Sequence, residues 1–223
     1  MGAETPTNGG PPPESANGGA PAAAPDEPPV VVRRVESDSA SLLRDMVETF
    51  EELQMVLRCC ERLVTEIGPG LPPDPVVVEG VWTTALLSYG RGFHQRGTAA
   101  ALGEEELTAV QPESDVLEWH KVLLQLREHY CDPANSPRER FTVAVTQDAD
   151  GAASGVAITS VKQPLVDEVT VRQLGAIAYA LSNLVNDRIE AQQLLVSGEL
   201  ETVSREDLEK LDQLDVAPVS TGA

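Results

Sequence analysis

The sequence predicts a mainly α-helical protein, an antiparallel helical bundle with one β-hairpin inserted before the last long helix. Long stretches place apolar residues at spacings of three and four, which is the period of amphipathic helices. Hydrophobic residues make up 41% of the chain but aromatic residues only 4%, so helix-to-helix contacts between small aliphatic side chains must form the core. Two short β-branched runs flank a Gly/Asp-rich turn near residues 141–161, which indicates the hairpin.

Composition also limits the possible partners. The chain has 223 residues and a formal net charge of -20, which repels phosphate backbones and anionic lipid. We therefore expect no DNA and no membrane partner. Three cysteines give neither a spaced disulfide framework nor the spacing of a zinc site. With no leader-like start and no apolar run of roughly 20 residues, the sequence predicts a cytoplasmic protein without cofactor or metal.

The chain begins with a Pro/Gly-rich stretch, residues 1–36, that we expect to be a disordered tail. Its composition cannot bury enough apolar surface to offset the entropy of ordering. The run Val30–Val32 is interpreted as the approach to the first helix, with an edge strand as the alternative. The folded domain is expected over residues 37–197, and residues 198–223 form an acidic C-terminal segment with a short helix from Ser204.

The first helix is predicted over residues 39–67, and Gly68, Pro69 and Gly70 end it. Because the spacing of its apolar residues is close to a heptad, this seam can serve an internal core or a dimer. The internal core is favoured, and Cys60 is then a small buried hydrophobe. The seam consists of Leu43, Met46, Phe50, Leu53, Leu57, Cys60, Val64 and Ile67.

A second helix is predicted from Asp74, with Pro75 at its first position, to about Gln95. Arg91 lies nearly opposite its apolar stripe and should face solvent, while His94 lies to the side. Residues 97–112 contain three consecutive glutamates and predict a short surface helix. The apolar stripe of the second helix consists of Val78, Trp82, Leu86, Tyr89 and Phe93.

The next helix is predicted to open at Asp115, with a capping box completed by Glu118. Trp119 falls within its apolar stripe and is expected to be buried. At about 100° per residue, His120 and Arg127 project in almost the same direction. His129 projects toward the opposite flank.

One face of the hairpin, which carries Phe141, Val143 and Val145, is expected to lie on the helices. The turn residues 148–151 resemble the start of a calcium loop, but the closing Glu is missing. The last long helix is predicted from Thr170, with Gln173 in a capping box, to about Val196.

No glycine-rich phosphate loop, nucleophile elbow or metal-ligand spacing is present in the sequence. Instead, a Tyr-Gly-Arg-Gly-Phe motif at 89–93 is followed by His120, by Leu-Arg-Glu-His-Tyr at 126–130, and by Asn135 and Glu139. The order of these pieces over residues 40–195 resembles bacterial HEPN-like helical-bundle proteins.

This resemblance implies a four- or five-helix bundle that often forms dimers, with metal-independent ribonuclease activity in active members. Those members use an Arg followed four to six residues later by His. Arg127 matches the Arg, but Cys131, Asp132 and Pro133 stand where the His is expected. The candidate catalytic residues are Arg127, His120 and His129. The candidate ligand-binding residues are Arg91, His94 and Asn135.

Two functions follow from the sequence. The favoured one is a non-enzymatic helical interaction or scaffold protein, a catalytically inactive HEPN-like domain. The alternative is a metal-independent ribonuclease of a defence or toxin–antitoxin system with a rearranged Arg/His site, for which RNA would be the partner. Otherwise we expect a protein partner or a homodimer, in which both copies of His120 and Arg127 face a shared cleft suited to an anionic peptide or nucleotide.

Overall fold

A computed structural model of the chain describes residues 31–70, 72–95, 97, 102–112, 115–134 and 136–215. Over these residues the fold is mainly helical, which confirms the predicted class. Of the disordered tail predicted for residues 1–36, residues 1–30 lie outside the described residues. The helices are α1 (Asp38–Ile67), α2 (Pro75–Gly92), α3 (Glu104–Val110), α4 (Val116–Cys131), α5 (Glu168–Glu201) and α6 (Arg205–Glu209). The strands are β1 (Val32–Arg33), β2 (Glu139–Gln147), β3 (Ala153–Lys162) and β4 (Gln213–Leu214).

The chain divides into two units, and the larger one, residues 34–211, contains all the helices described and the hairpin. In the smaller unit, β1 and β4 form an antiparallel pair in which Val32 lies opposite Leu214. The interpretation of Val30–Val32 as a mere approach to the first helix is therefore wrong for Val32, since a cross-strand partner holds it in a short strand.

The core of the larger unit forms where α1 packs against α5 and α2. Leu53, Val56 and Leu63 of α1 are fully buried in the same apolar cluster as residues of α2 and α5. Gly175 of α5 faces Cys60 of α1, since a Cβ at that position would lie 3.5 Å from the Cβ of Cys60, an ordinary van der Waals distance. Cys60 is buried, as predicted. Burial, together with neighbouring Cys59 and Glu61, raises the pKa of its thiol to about 12.

The predicted seam of α1 is only partly internal. Leu53 and Cys60 are buried, but Phe50 and Leu57 keep part of their surface in solvent. The buried face is centred instead on Leu53, Val56, Cys60 and Leu63. A straight α-helix has 3.6 residues per turn rather than the 3.5 of a heptad repeat, so a heptad seam drifts around its surface.

The predicted N-terminal cap is confirmed at α2, but the capping boxes predicted for α4 and α5 are wrong. The Asp74 side chain accepts a hydrogen bond from Val76 N at 2.8 Å, as expected for an N-cap. Asp115 precedes α4 but makes no side-chain cap bond. The last helix begins at Glu168, because Asp167 accepts from Thr170 N at 2.8 Å and caps it before the predicted Thr170 box.

Polar contacts tie the long α5 to the rest of the bundle, and two of them come from Gln192 and Arg188. Gln192 is buried and donates through Nε2 to the backbone oxygen of Ser39, 3.0 Å away. Arg188 donates to Glu106 of α3 at 2.8 Å. Both contacts fix the C-terminal half of α5 against elements that are distant in sequence. No helix in the described part of the chain is long and apolar enough to span a membrane.

The hairpin formed by β2 and β3 is present as predicted, with Thr142 opposite Thr159 and Val143 opposite Ile158. Gly151 has φ of 83° in its turn, a conformation that glycine adopts without strain. However, Phe141, Val143 and Val145 are 62–71% exposed. The expectation that this face lies on the helices is therefore wrong, because α1, α2 and α5 already close the core without it.

The burial of the thiols predicts their reactivity. Cys131 is exposed, whereas Cys59 and Cys60 are buried. With an aromatic disulfide reagent under native conditions, one thiol should react at least about tenfold faster than the other two. Absorbance of the released thiolate measures the rates. The variant Cys131→Ser should lose the fast phase, and a fast phase that persists in it would contradict the packing of α1.

Candidate functional site

The contact between α2 and α4 brings together the residues that the sequence singled out. His120 of α4 is only 8% exposed and its Nδ1 lies 2.9 Å from the hydroxyl of Tyr89. The ring of Phe93 packs on the imidazole with centroids 4.4 Å apart. An aromatic residue from each of two successive turns near the end of α2 thus encloses the histidine.

Burial favours the uncharged forms of both His120 and Tyr89. Burial lowers the pKa of His120, and Lys121 acts in the same direction against an opposing effect of Glu104. Burial also raises the pKa of Tyr89. The hydroxyl of Tyr89 therefore stays protonated and can donate to an unprotonated Nδ1 of a neutral imidazole. This arrangement satisfies two buried polar groups and needs no ligand.

Arg127 packs against the same helix at Gly90. A Cβ at Gly90 would meet the Cδ of Arg127 at 2.7 Å and its Nη1 at 2.8 Å, so the absence of a side chain there lets the arginine stem lie flat on α2. The Arg127 side chain remains 34% exposed and pairs with Glu128 at 3.5 Å. The prediction that His120 and Arg127 face the same way agrees with their shared contact with α2.

The other candidates do not join this cluster. His129 is exposed, with its ring edge against Tyr130. Arg91 has a 61% exposed side chain 3.8 Å from Glu52, as expected for a solvent-facing residue, and His94 is exposed beyond the end of α2. Asn135 lies outside the described residues. The cluster therefore contains one buried histidine, His120, and one partly buried arginine, Arg127, two helical turns apart on α4.

A cavity of about 450 Å³ lies elsewhere, between the start of α4 and α5. Trp119 lines it together with Val116, Val122 and Ile177. The indole is only partly buried, so the prediction of a buried Trp119 is wrong in degree. The helix is rotated so that His120 and Leu123 face the core.

The sequence reasoning missed one buried charged residue, Asp45 of α1. Its side chain is 5% exposed, and Arg44 donates to its Oδ1 at 3.1 Å. Its Oδ2 has no hydrogen-bond partner among the described residues and lies 2.5 Å from where a Cβ of Gly97 would be. Helical spacing contained the signal, since Asp45 precedes Leu53 by eight residues and so shares its face.

The hairpin carries a further exposed surface. Side chains of residues paired across β2 and β3 point to the same side of the hairpin. The side with odd-numbered residues of β2 and even-numbered residues of β3 is apolar at its centre, and we call it the hairpin face. Its apolar side chains are 62–75% exposed. They are Phe141, Val143, Val145, Val156 and Ile158.

The turn of the hairpin uses its acidic residue internally. Asp148 Oδ1 accepts from the backbone N–H groups of Asp150 and Ala152 at 3.0 and 2.9 Å. This is an Asx-type turn, in which the carboxylate replaces backbone partners. Within the described ranges, no group of three or more His, Cys, Asp or Glu side chains is arranged to hold a metal ion.

Comparisons of the chain with protein-family models, with curated proteins and with solved structures found no match.

The enclosure of His120 predicts a pH dependence of stability. In the unfolded chain the imidazole binds a proton near its ordinary pKa of about 6.5, whereas the native cluster resists protonation. The unfolded state then binds more protons below this pH, so the free energy of unfolding should fall as the pH falls. Urea unfolding at pH 7.5 and 5.5 measures the loss, which should be smaller in His120→Phe.

The matched control for this experiment is His129→Gln on the exposed side of α4. This variant should keep the full pH dependence of the native chain. If His120→Phe and the native chain lose the same stability between the two pH values, the enclosed neutral imidazole is contradicted.

Proposed function

We propose that this chain is a non-enzymatic helical interaction protein that binds a protein partner through the hairpin face. The observation that carries the proposal is the exposure of Phe141, Val143, Val145, Val156 and Ile158 in one contiguous patch. Contiguous exposed apolar patches often mark binding sites, whereas apolar residues scattered singly are normal on a protein surface. A helical bundle would then serve to present the hairpin.

The state of the polar cluster supports a role without catalysis. A general acid or base must come within hydrogen-bond reach of its substrate, but His120 is enclosed by Tyr89 and Phe93 and is 8% exposed. His129 is exposed on another side of α4. Within the resemblance to HEPN-like proteins, the chain is thus proposed to be a catalytically inactive member that keeps Arg127 without a histidine to act with it.

The charge of the chain supports a protein rather than a polyanionic partner. The formal net charge is -20, and the centre of the hairpin face offers no basic side chain to contact phosphate. Uncharged apolar side chains are instead typical of the buried centre of protein interfaces. The proposed partner therefore presents an apolar surface of its own.

Site-specific photocrosslinking tests this function. A benzophenone amino acid in place of Ile158, on the hairpin face, should form a covalent adduct with a protein in the native host. The same group in place of Thr159 gives the matched control, because its side chain points to the opposite side of the same strand. Gel mobility and mass spectrometry detect the adducts, which should be abundant at position 158 and scarce at position 159.

Equal adduct yields at both positions, or none at either, would contradict binding through the hairpin face. A separate result would contradict the proposal that the chain is not an enzyme. Cleavage of a labelled RNA by the purified chain, lost on Arg127→Ala, would favour the ribonuclease alternative.

A further inference from the structure

We infer that the partner of the hairpin face is a second copy of this chain, and that the two hairpins stack face to face about a twofold axis. This inference rests on the proposed function, because it names the occupant of the same surface. A twofold contact uses one patch twice, so the patch must be complementary to itself. The hairpin face meets this condition in its size, its charge and its position on the bundle.

The size of the face suits a small symmetric dimer. Five apolar side chains that are 62–75% exposed offer on the order of 500 Å² per copy, or roughly 1,000 Å² for two, which is about the lower limit for a specific interface. Val143 and Ile158 lie opposite each other at its centre. Two such faces can interdigitate like the inner faces of stacked sheets, which lie about 10 Å apart.

The charges of the face allow contact between identical copies. The charged residues on its side of the sheet are Glu139 and Lys162, which are directly opposite each other in register. They have opposite signs, so the face has no formal net charge. The remaining side chains of this face are apolar except for the hydroxyl of Ser160 and, beside the turn, the amide of Gln147. No net charge on the face therefore opposes contact between two copies.

The acidic bundles do not prevent this contact if the hairpins stack head to tail. Strands of 9 and 10 residues extend for about 30 Å at about 3.3 Å per residue. In that arrangement each bundle lies near the turn of the other hairpin, so the two bundles are separated by roughly this length. Exposed charges farther apart than a Debye length of about 8 Å are largely screened at physiological salt.

The hairpin also needs a cover for its own stability. An isolated two-stranded hairpin is marginally stable in water, and both sides of this one are open to solvent over most of its length. A second copy removes the exposed apolar face and adds a third and fourth strand to the packed structure.

The competing surface for self-association is the groove between α1 and α5, which contains the outer flank of the predicted seam. It encloses about 500 Å³ and is lined by Phe50 and Leu57 but also by three side-chain amides, Gln54, Asn183 and Asn186. Burial of amides against a copy requires each of them to find a hydrogen bond. The hairpin face carries fewer polar groups that would need a partner, the Ser160 hydroxyl and the Gln147 amide beside the turn, so it is the better twofold contact.

Sedimentation equilibrium of the purified full chain tests the inference at micromolar concentration. The native chain should be a dimer. Val143→Lys with Ile158→Lys places four like charges in the contact and should raise the dimer dissociation constant at least about 100-fold. Thr142→Lys with Thr159→Lys is the matched control, because this cross-strand pair lies on the other side of the same strands and should leave the dimer intact.

Circular dichroism checks that each variant keeps its helices. Where the lysine pair unfolds the hairpin, Val143→Thr with Ile158→Thr replaces it, since threonine keeps the β-branched shape and should still weaken the dimer. Tyr179→Glu, at an exposed position of the α1–α5 groove, should have no effect. Loss of the dimer in Tyr179→Glu but not in the hairpin variants would overturn the inference, as would open-ended oligomers.

The failure of this inference is distinguishable from the failure of the proposed function. A monomeric native chain that crosslinks from position 158 to a different protein overturns self-association and leaves the interaction function in place. A monomer without any adduct at position 158 overturns both.

Discussion

The packing of α1 against α5 and α2 is the contact on which the rest of the structure depends. The fully buried side chains of α1, among them Leu53, Val56 and Leu63, join residues of all other long helices in one apolar cluster. Because helices alone close the core, the hairpin has no place in it, and its apolar side chains remain in solvent.

The same packing explains why His120 is enclosed and why Arg127 is partly covered. The rotation of α4 that buries Leu123 also places His120 against Tyr89 and Phe93, and Gly90 makes room for the stem of Arg127. The Tyr89 hydroxyl and His120 Nδ1 are hydrogen-bond partners, and this bond helps to fix how α4 packs on α2. The hairpin face, by contrast, leaves five apolar side chains exposed to solvent, and this contrast underlies the proposed function.

Periodicity predicted much of the fold, because burial of a stripe every three or four residues is what stabilises a helix in a bundle. It placed the long helices and the hairpin, and it found the common direction of His120 and Arg127. It failed where the outcome depends on which neighbour covers a face. The exposure of Phe141 and the partial exposure of Trp119 depend on the rotation and placement of whole elements. Asp45 was missed because one acidic residue does not alter an apolar pattern.

The most direct test of the account is an isotope-filtered NMR measurement on a mixture of labelled and unlabelled chains, which detects contacts between copies only. The account predicts intermolecular nuclear Overhauser effects from the methyl groups of Val143 and Ile158 to the ring of Phe141, and none from Phe50 of α1. Intermolecular effects confined to α1 and α5, with the hairpin methyl groups silent, would contradict it.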